Sequence, residues 1–358
     1  TRLSGGMMTG RERLLAAYTR RPKDRVPWVP IVFPDTISRY SDEERESGPI
    51  AFTRRIGADI LWRWGDFLVT HSPVACRQTR TADRRVRVWE TPAGRLREVQ
   101  EGSRLLEHKL ESPDDLPAYR YLVENTSFSP NPGRYEELAD QVGDDGIVAT
   151  HIGPTAVQQL VQLDAGVDNF AYLCADCPDE MDKLIELLHL RDLERIRIAA
   201  ETPAKVLIQV ENTSTLLISP GMYRRWSQRH IADFCRIAHD QNKVAMVHMC
   251  GHIRDLLADI AATGLDGIDA LTPPPTANTT PEDAWDVIGP NLIVHGILDP
   301  TRWIHRPTRD IVSAMERALP PGMKDKNFLL CTAADGLPDI PREAWDVLAD
   351  AWHRFSDR

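Results

Sequence analysis

From Gly146 onward the chain repeats one pattern that restricts what it can fold into: a short apolar run, a polar break, then a longer segment of helical period. The apolar runs fall at 147–152, 205–210, 243–249, 265–271, 292–298 and 327–330, each short enough to be a strand. Between them Ile253, Leu256, Leu257 and Ile260, or Met222, Trp226, Ile231 and Phe234, recur at the spacing of one helix face. Segments of that length suit the crossovers that join parallel strands. Two earlier runs, 26–33 and 58–64, bring the strands to eight. With no second long apolar block, the repeat favours a closed (β/α)8 barrel around one core, although an open doubly wound sheet satisfies the same alternation.

The segment ahead of the repeat reads differently. Thr9 stands three residues before Glu12, the spacing of a capping box that opens a short amphipathic helix. Residues 1–7 read as a tag remnant, which leaves 8–358 as a single barrel domain. Between about Val86 and Ser112 short alternating segments surround Gly94 and Gly102, which predicts an inserted antiparallel hairpin.

Composition removes several classes of function. At 42% hydrophobic and 27% charged residues over 358 positions the chain can bury a large core. A formal net charge of -10 argues against a nucleic-acid partner, which concentrated Lys and Arg would serve. No apolar stretch reaches the length of a membrane helix, so a cytoplasmic address without membrane contact is expected. Six cysteines in such a chain suit free thiols or metal ligands better than disulfides. Cys174 and Cys177 have redox or half-zinc-site spacing, but no second close pair accompanies them and Pro178 marks a helix start, so they read as junction residues.

Polar residues crowd the strand ends, which form the working face of a barrel. His151, Glu211, Asn212, His248 and Cys250 follow the middle strands, and Asp269, Asp299 and Asp335 extend the ring. Asp35 and Asp66 follow the first two strands. Any of these carboxylates suits metal ligation or proton transfer, and equally a loop acid or helix cap. His248 and Cys250, two apart, together with Cys331 at the end of the last strand, offer one imidazole and two thiolates for a zinc ion with an open fourth position. The competing reading makes the cysteines small buried fillers and His248 a hydrogen-bonded core residue. Trp62, Trp64 and Trp89 either wall an aromatic pocket or fill the core.

Taken together, several segments resemble the uroporphyrinogen decarboxylase superfamily. They are Met8-Thr9-Gly10-Arg11-Glu12-Arg13 through Asp24-Arg25-Val26-Pro27, and His248-Met249-Cys250-Gly251-His252 leading to Gly264-Leu265-Asp266. Two more follow in order, His295-Gly296-Ile297-Leu298-Asp299-Pro300 and Ala334-Asp335-Gly336-Leu337-Pro338. The resemblance implies a (β/α)8 barrel and one of two chemistries: metal-free decarboxylation of a porphyrinogen, or zinc-dependent methyl transfer involving a corrinoid. Where the decarboxylases carry Arg-Gln-Ala-Gly-Arg-Tyr, this chain has Asp35-Thr36-Ile37-Ser38-Arg39-Tyr40, so one carboxylate-binding arginine is kept and the other is an acid. An acid there repels a polyacidic substrate. Asp66 matches by position the aspartate that decarboxylases place near the pyrrole nitrogens.

The methyltransferases carry a His-x-Cys and a later Cys, which His248, Cys250 and Cys331 resemble. In many of them the later cysteine stands directly before Gly-x-Pro, where this chain has Asp335, so Asp335 is the alternative third ligand. The insertion with Trp89, Glu90 and Gly94 is similar to that branch as well. The resemblance therefore implies a methyltransferase that moves a methyl group between a small donor of methoxy, methylamine or thiol type and the corrinoid of a separate cobalamin-binding protein. Glu211, Asp66, Asp35 and Arg39 are its expected catalytic groups, and Trp64, His151, Asn212 and Asp269 its expected substrate contacts. A metal-free decarboxylase of a porphyrinogen or aromatic acid is the alternative, and a non-catalytic tetrapyrrole or corrinoid binder a third.

Overall fold

The computed structural model describes residues 7–64, 67–299, 304, 306–332 and 340–358. Thr9 opens the helix Gly10–Tyr18 with the expected capping box, its hydroxyl accepting from the Glu12 amide while the Glu12 carboxylate accepts from the Thr9 amide. An extended segment, 26–32, follows with only isolated bridges. Pro27 and Pro30 remove two amide donors there, which is why a run that reads as a strand makes no regular ladder.

The first regular strand is β1 (Ile60–Trp62). It leads into an excursion of six antiparallel strands, β2 (Leu68–His71), β3 (Cys76–Arg80), β4 (Arg84–Thr91), β5 (Gly94–Glu101), β6 (Arg104–Glu107) and β7 (Ser127–Pro130). β2 pairs with β7, and β3-β4-β5-β6 form a four-stranded sheet. The insertion is thus larger than the hairpin expected at 86–112. β3 escaped the sequence reading because Cys-Arg-Gln-Thr-Arg is exposed along its whole length and shows no apolar alternation.

The barrel resumes with β8 (Gly146–Val148) and β9 (Thr150–Pro154), consecutive pieces of one staircase step. β10 (Val206–Val210), β11 (Val244–His248), β12 (Gly267–Leu271), β13 (Ile293–Ile297) and β14 (Phe328–Cys331) then line up in parallel, in sequence order. Hydrogen bonds carry the circuit all the way round. β1 pairs with β8, the Ala149 amide donates to the Trp62 carbonyl, and Asp59 donates to Trp28. Val29 and Ile31 donate to Leu330 and Thr332, which joins the first segment to the last. Gly146 is obligatory in this circuit, since a Cβ there would lie 1.8 Å from the Ile60 carbonyl oxygen.

Strand parity sorts the core into two layers. Val206, Ile208, Val244, Met246, Ile293, Leu329 and Cys331 point into the barrel, where Leu14, Ala17 and Tyr18 of the first helix join them. Arg20, just past that helix, donates to the Asn291 carbonyl and to Asp266, both ahead of strands. The helix therefore plugs the end where strands begin and leaves the other end for function. The alternate residues meet the surrounding helices, among them Pro178–Glu201, Gln228–Asp240 and Arg342–Phe355. The last of these seals the seam: Trp345 and Trp352 lie with ring centroids 6.4 and 5.7 Å from Trp28, and the Trp352 indole donates to the Val26 carbonyl at 2.7 Å. Among the described residues no helix is long and apolar enough to cross a membrane.

One buried ion pair ties the plug to the first strands. Arg13, 2% exposed, bonds Asp24 at 2.7 Å and also Asp59, whose carboxylate accepts from the Trp28 amide at 3.1 Å. Burial pushes Asp59 up to about 6 against the pull of Arg13. We expect Arg13→Met to lower stability by about 3–5 kcal/mol at neutral pH, because it strands a buried carboxylate. The loss should shrink as pH falls and Asp59 takes up a proton, which urea midpoints measured on both sides of pH 6 will show.

Candidate functional site

At the open end of the barrel the inward-facing polar residues converge on one carboxylate. Asp269 lies in the middle of β12, fully buried, opposite His248 in the β11–β12 register. The ring nitrogen Nδ1 of His248 bonds it at 2.8 Å and that of His295 at 2.5 Å. Arg63, the residue after β1, supplies a guanidinium at 3.1 Å. Burial alone would raise the Asp269 pKa, but Arg63 and the hydrogen bonds from His248 and His295 hold it well below the usual carboxylate range.

The same contacts assign the protons. Burial lowers the His295 pKa, so its ring is neutral, donating from Nδ1 to Asp269 and accepting at Nε2 from the Tyr18 hydroxyl at 2.9 Å. His248 goes the other way: burial opposes its charge, yet Asp269 and then Cys250 raise it to about 9. With Nδ1 committed to Asp269, Nε2 of His248 is the nitrogen left to meet a ligand.

Cys250, half-buried, follows two residues on, and its thiol donates to the Asn212 side-chain oxygen at 3.6 Å. Asn212 holds that position by adopting φ 45°, a left-handed conformation that Asn tolerates better than most residues. Its amide donates to the His248 carbonyl at 2.8 Å and its side chain to Gln162 at 2.6 Å. Gly251 closes the turn, pressed so tightly on Thr213 that a Cβ would lie 2.4 Å from its carbonyl oxygen.

The structure thus brings His248, Cys250, Asn212 and Asp269 together. Cys331 also faces into the barrel, but its sulfur is met by Arg63 at 3.9 Å, and burial pushes its thiol up to about 12. Among the described residues no three His, Cys, Asp or Glu side chains are arranged so that they could hold a metal ion. Asp335 and Asp66 lie outside the described residues. Trp64 and His151 stand at the same mouth, 6.2 Å apart, with Phe33 4.6 Å and Trp62 6.1 Å from Trp64. Burial lowers His151 to about 4, which leaves its ring neutral. Trp89 is not part of this aromatic wall; it belongs to β4 in the inserted sheet, beneath Arg87 and Lys109. Asp35 and Arg39 are exposed on and just after the helix Pro34–Ile37. Cys177 caps the helix that starts at Pro178, as the bland reading of that pair has it.

Glu211 takes a different place from the one its position suggests. Along β10 it shares parity with Leu207 of the outer layer and Gln209, whose side chain reaches Asp192 of the long helix. It is fully buried there, accepts from the Thr155 hydroxyl, and has Ser227, Thr213 and the charge of Asp192 around it. Burial pushes its pKa up to about 8, with Thr155, Ser227 and Thr213 pulling it back. It reaches the mouth through the backbone, since the amides of Glu211 and Asn212 both donate to the His248 carbonyl. Sequence reasoning passed over Arg63, His295 and Tyr18. Arg63 follows a strand directly and His295 shares inward parity with Ile293, so strand-end placement and period were the available signals.

A barrel with a charged centre at its strand ends defines the class of enzyme-bearing folds in which this chain falls. Residues 138–355 match the family model for uroporphyrinogen decarboxylase (URO-D), and the chain belongs to that family. Among solved structures it is similar to a methyltransferase from Methanosarcina mazei, at 16% identity over 97% of this chain and 99% of that one, with a TM-score of 0.64. A B12-independent methionine synthase from a Shewanella species matches at 12% identity over 92% of this chain and 96% of that one, with a TM-score of 0.49. At 16% identity the likeness to the Methanosarcina mazei protein speaks for the fold alone. No curated protein matches the chain.

The raised pKa of Glu211 has a measurable consequence. Folded, the carboxyl holds its proton from the ordinary value of 4.5 up to about 8, so the stability it contributes is complete below 4.5 and lost as pH rises through 8. Glu211→Gln cannot titrate and keeps an acceptor for Thr155. Denaturant unfolding at about pH 5 and about pH 8.5 should show the variant gaining on the wild type by a few kcal/mol at the higher value.

Proposed function

We propose that this protein is a zinc-dependent methyltransferase that moves a methyl group between a small donor or acceptor and a corrinoid carried by a separate protein. The observation that carries the reading is His248, anchored through Nδ1 by Asp269 and also in contact with the thiol of Cys250, two residues later. An imidazole oriented by a buried carboxylate is the usual companion of a metal-ligating histidine. Nitrogen and sulfur together suit zinc. The likeness of the whole chain to the Methanosarcina mazei methyltransferase agrees in fold.

His248 and Cys250 would hold the ion, with the third place filled by Cys331 or Asp335. Bound there, zinc supplies a Lewis acid that keeps a coordinated sulfur ionised near neutral pH while leaving it nucleophilic. Asp269 fixes the imidazole ring, and Arg63 offsets its negative charge inside the barrel. Asn212 steers the Cys250 sulfur through its side-chain oxygen. Phe33, Trp64 and neutral His151 offer an apolar wall for the body of a methyl-bearing molecule. The corrinoid protein would dock transiently on the strand-end face, because transfer requires the cobalt and the methyl group to meet within a few ångströms.

Protein purified without added metal should carry one zinc per chain, and His248→Ala and Cys250→Ser should each lose it while the circular dichroism spectrum stays that of the barrel. Full zinc retention in both variants would sink the assignment. X-ray absorption counts the sulfurs, since zinc lies about 2.3 Å from a thiolate and about 2.0–2.2 Å from a carboxylate oxygen. Two sulfurs are expected, from Cys250 and Cys331; one sulfur gives the third place to Asp335. With a corrinoid protein and a panel of methyl donors, the cobalt absorption spectrum should show methyl-cobalt forming or disappearing. No change with any donor, together with carbon dioxide release from a porphyrinogen or aromatic acid, would replace this reading by the decarboxylase.

A further inference from the structure

Away from the barrel mouth, a cavity of about 360 Å³ lies between the inserted strands and the long helix Pro178–Glu201. Its size falls within the usual range for small-molecule sites, about 300–1,000 Å³. Trp89 of β4, Tyr119 of the helix Leu116–Glu124 and Phe128 of β7 give it aromatic walls, and Leu122, Val123 and Leu188 add aliphatic surface. Lys109, Arg191 and Arg195 line its polar part, opposite a single carboxylate, Asp164.

The hydrogen bonds in this wall are unbalanced in one direction. Asp164 is saturated, since Lys109, the Tyr119 hydroxyl and Gln159 all donate to it. Arg195 gives one nitrogen to Asp192 at 2.6 Å and to the Pro154 carbonyl at 3.0 Å. Arg191 meets Glu194 at 2.9 Å and, more loosely, the Thr126 carbonyl at 3.4 Å. Both arginines keep a buried Nε–H with no acceptor within the described structure, whereas no lining side chain has a buried acceptor without a donor. Those two nitrogens are themselves buried, so a molecule in the cavity meets the guanidinium charge of Arg191 and Arg195 across the lining rather than the Nε–H groups.

We propose that this cavity binds a small aromatic carboxylic acid, its ring among Trp89, Tyr119 and Phe128 and its carboxylate toward Arg191 and Arg195. The aromatic walls favour a flat apolar body. A carboxylate brings two acceptor oxygens and the charge-assisted hydrogen bonds that guanidinium groups make best. The site shares no lining residue with the barrel mouth, so it stands independently of the methyltransferase reading. It is nevertheless a neighbour: the helical segment that carries Gln159 and Asp164 also carries Gln162, which accepts from Asn212 beside Cys250.

Calorimetric titration of the whole protein with benzoate and phenylacetate, against benzamide and methyl benzoate, tests the proposal. The carboxylates are expected to bind with Kd below about 1 mM, and the uncharged analogues at least about tenfold more weakly. Arg191→Gln should weaken benzoate binding about tenfold, and Leu122→Trp, which fills the cavity, should abolish it. His248→Ala should leave it unchanged, whatever that variant does to zinc or methyl transfer. The proposal is overturned if neither carboxylate binds the wild type or if amide and carboxylate bind equally. It is overturned too if binding survives both Arg191→Gln and Leu122→Trp, or is lost in His248→Ala alone.

Discussion

A carboxylate with no access to water sits at the centre of this barrel, and much of the functional end is arranged around its charge. An ionised Asp269 in an apolar interior would be prohibitively unfavourable without partners. Three partners reach it from three directions: Arg63 from the end of β1, His248 from β11 and His295 from β13. Each partner is then constrained in turn. Asp269 fixes the ring of His248, and it fixes the tautomer of His295, which makes Tyr18 the donor at Nε2. Tyr18 belongs to the helix that plugs the opposite end of the barrel. One continuous chain of hydrogen bonds therefore joins the plug to the working end, and the strands between are held in register by side chains as well as by their ladders.

The period of the sequence made the barrel legible because the strands from Gly146 onward are buried on both faces and flanked by amphipathic helices. Legibility fell where that physics changes. Pro27 and Pro30 break the first ladder without displacing the segment, which is held by Leu330, Thr332 and the packing of Trp345 and Trp352 on Trp28 instead. The inserted sheet was under-read because β3 buries nothing. In the site, His248 and Cys250 were visible because their relation is local, two residues apart across the end of one strand. Arg63 became meaningful only when it met Asp269, 206 residues further along the chain, and His295 only when β13 was seen to lie beside β12, which brings it to the same carboxylate.

Parity explains where the side chain of Glu211 lies. Glu211 follows the fourth predicted strand and so joined the ring of strand-end acids in the sequence. Counting back from it in twos passes through Gln209 to Leu207, a residue of the outer layer, and the period of a strand sends Glu211 outward with them. The same count from His248 passes through Met246 to Val244, inside the barrel. Two acids or bases at neighbouring strand ends thus acquire opposite surroundings from a shift of one residue in register. One becomes a neutral, buried acid beneath helices and the other a ring facing the mouth.

Charge balance then narrows what the mouth can hold on the proposed reading. Asp269 and Arg63 offset each other, and His295 is neutral, so the network carries no surplus with which to neutralise an incoming dication once His248 binds as a neutral ligand. The ion must bring its neutrality from its own ligands, one thiolate from Cys250 and a second anion. Cys331 and Asp335 both meet that requirement, so charge does not choose between them; a second sulfur would donate more electron density than a carboxylate and leave the bound ion a weaker Lewis acid. Recruiting Cys331 also requires its sulfur to share or leave Arg63, and the positive charge of that guanidinium favours the thiolate over the thiol. Arg63 is therefore placed to serve both partners: the permanent anion at Asp269, and the thiolate of Cys331 when a metal draws off its proton.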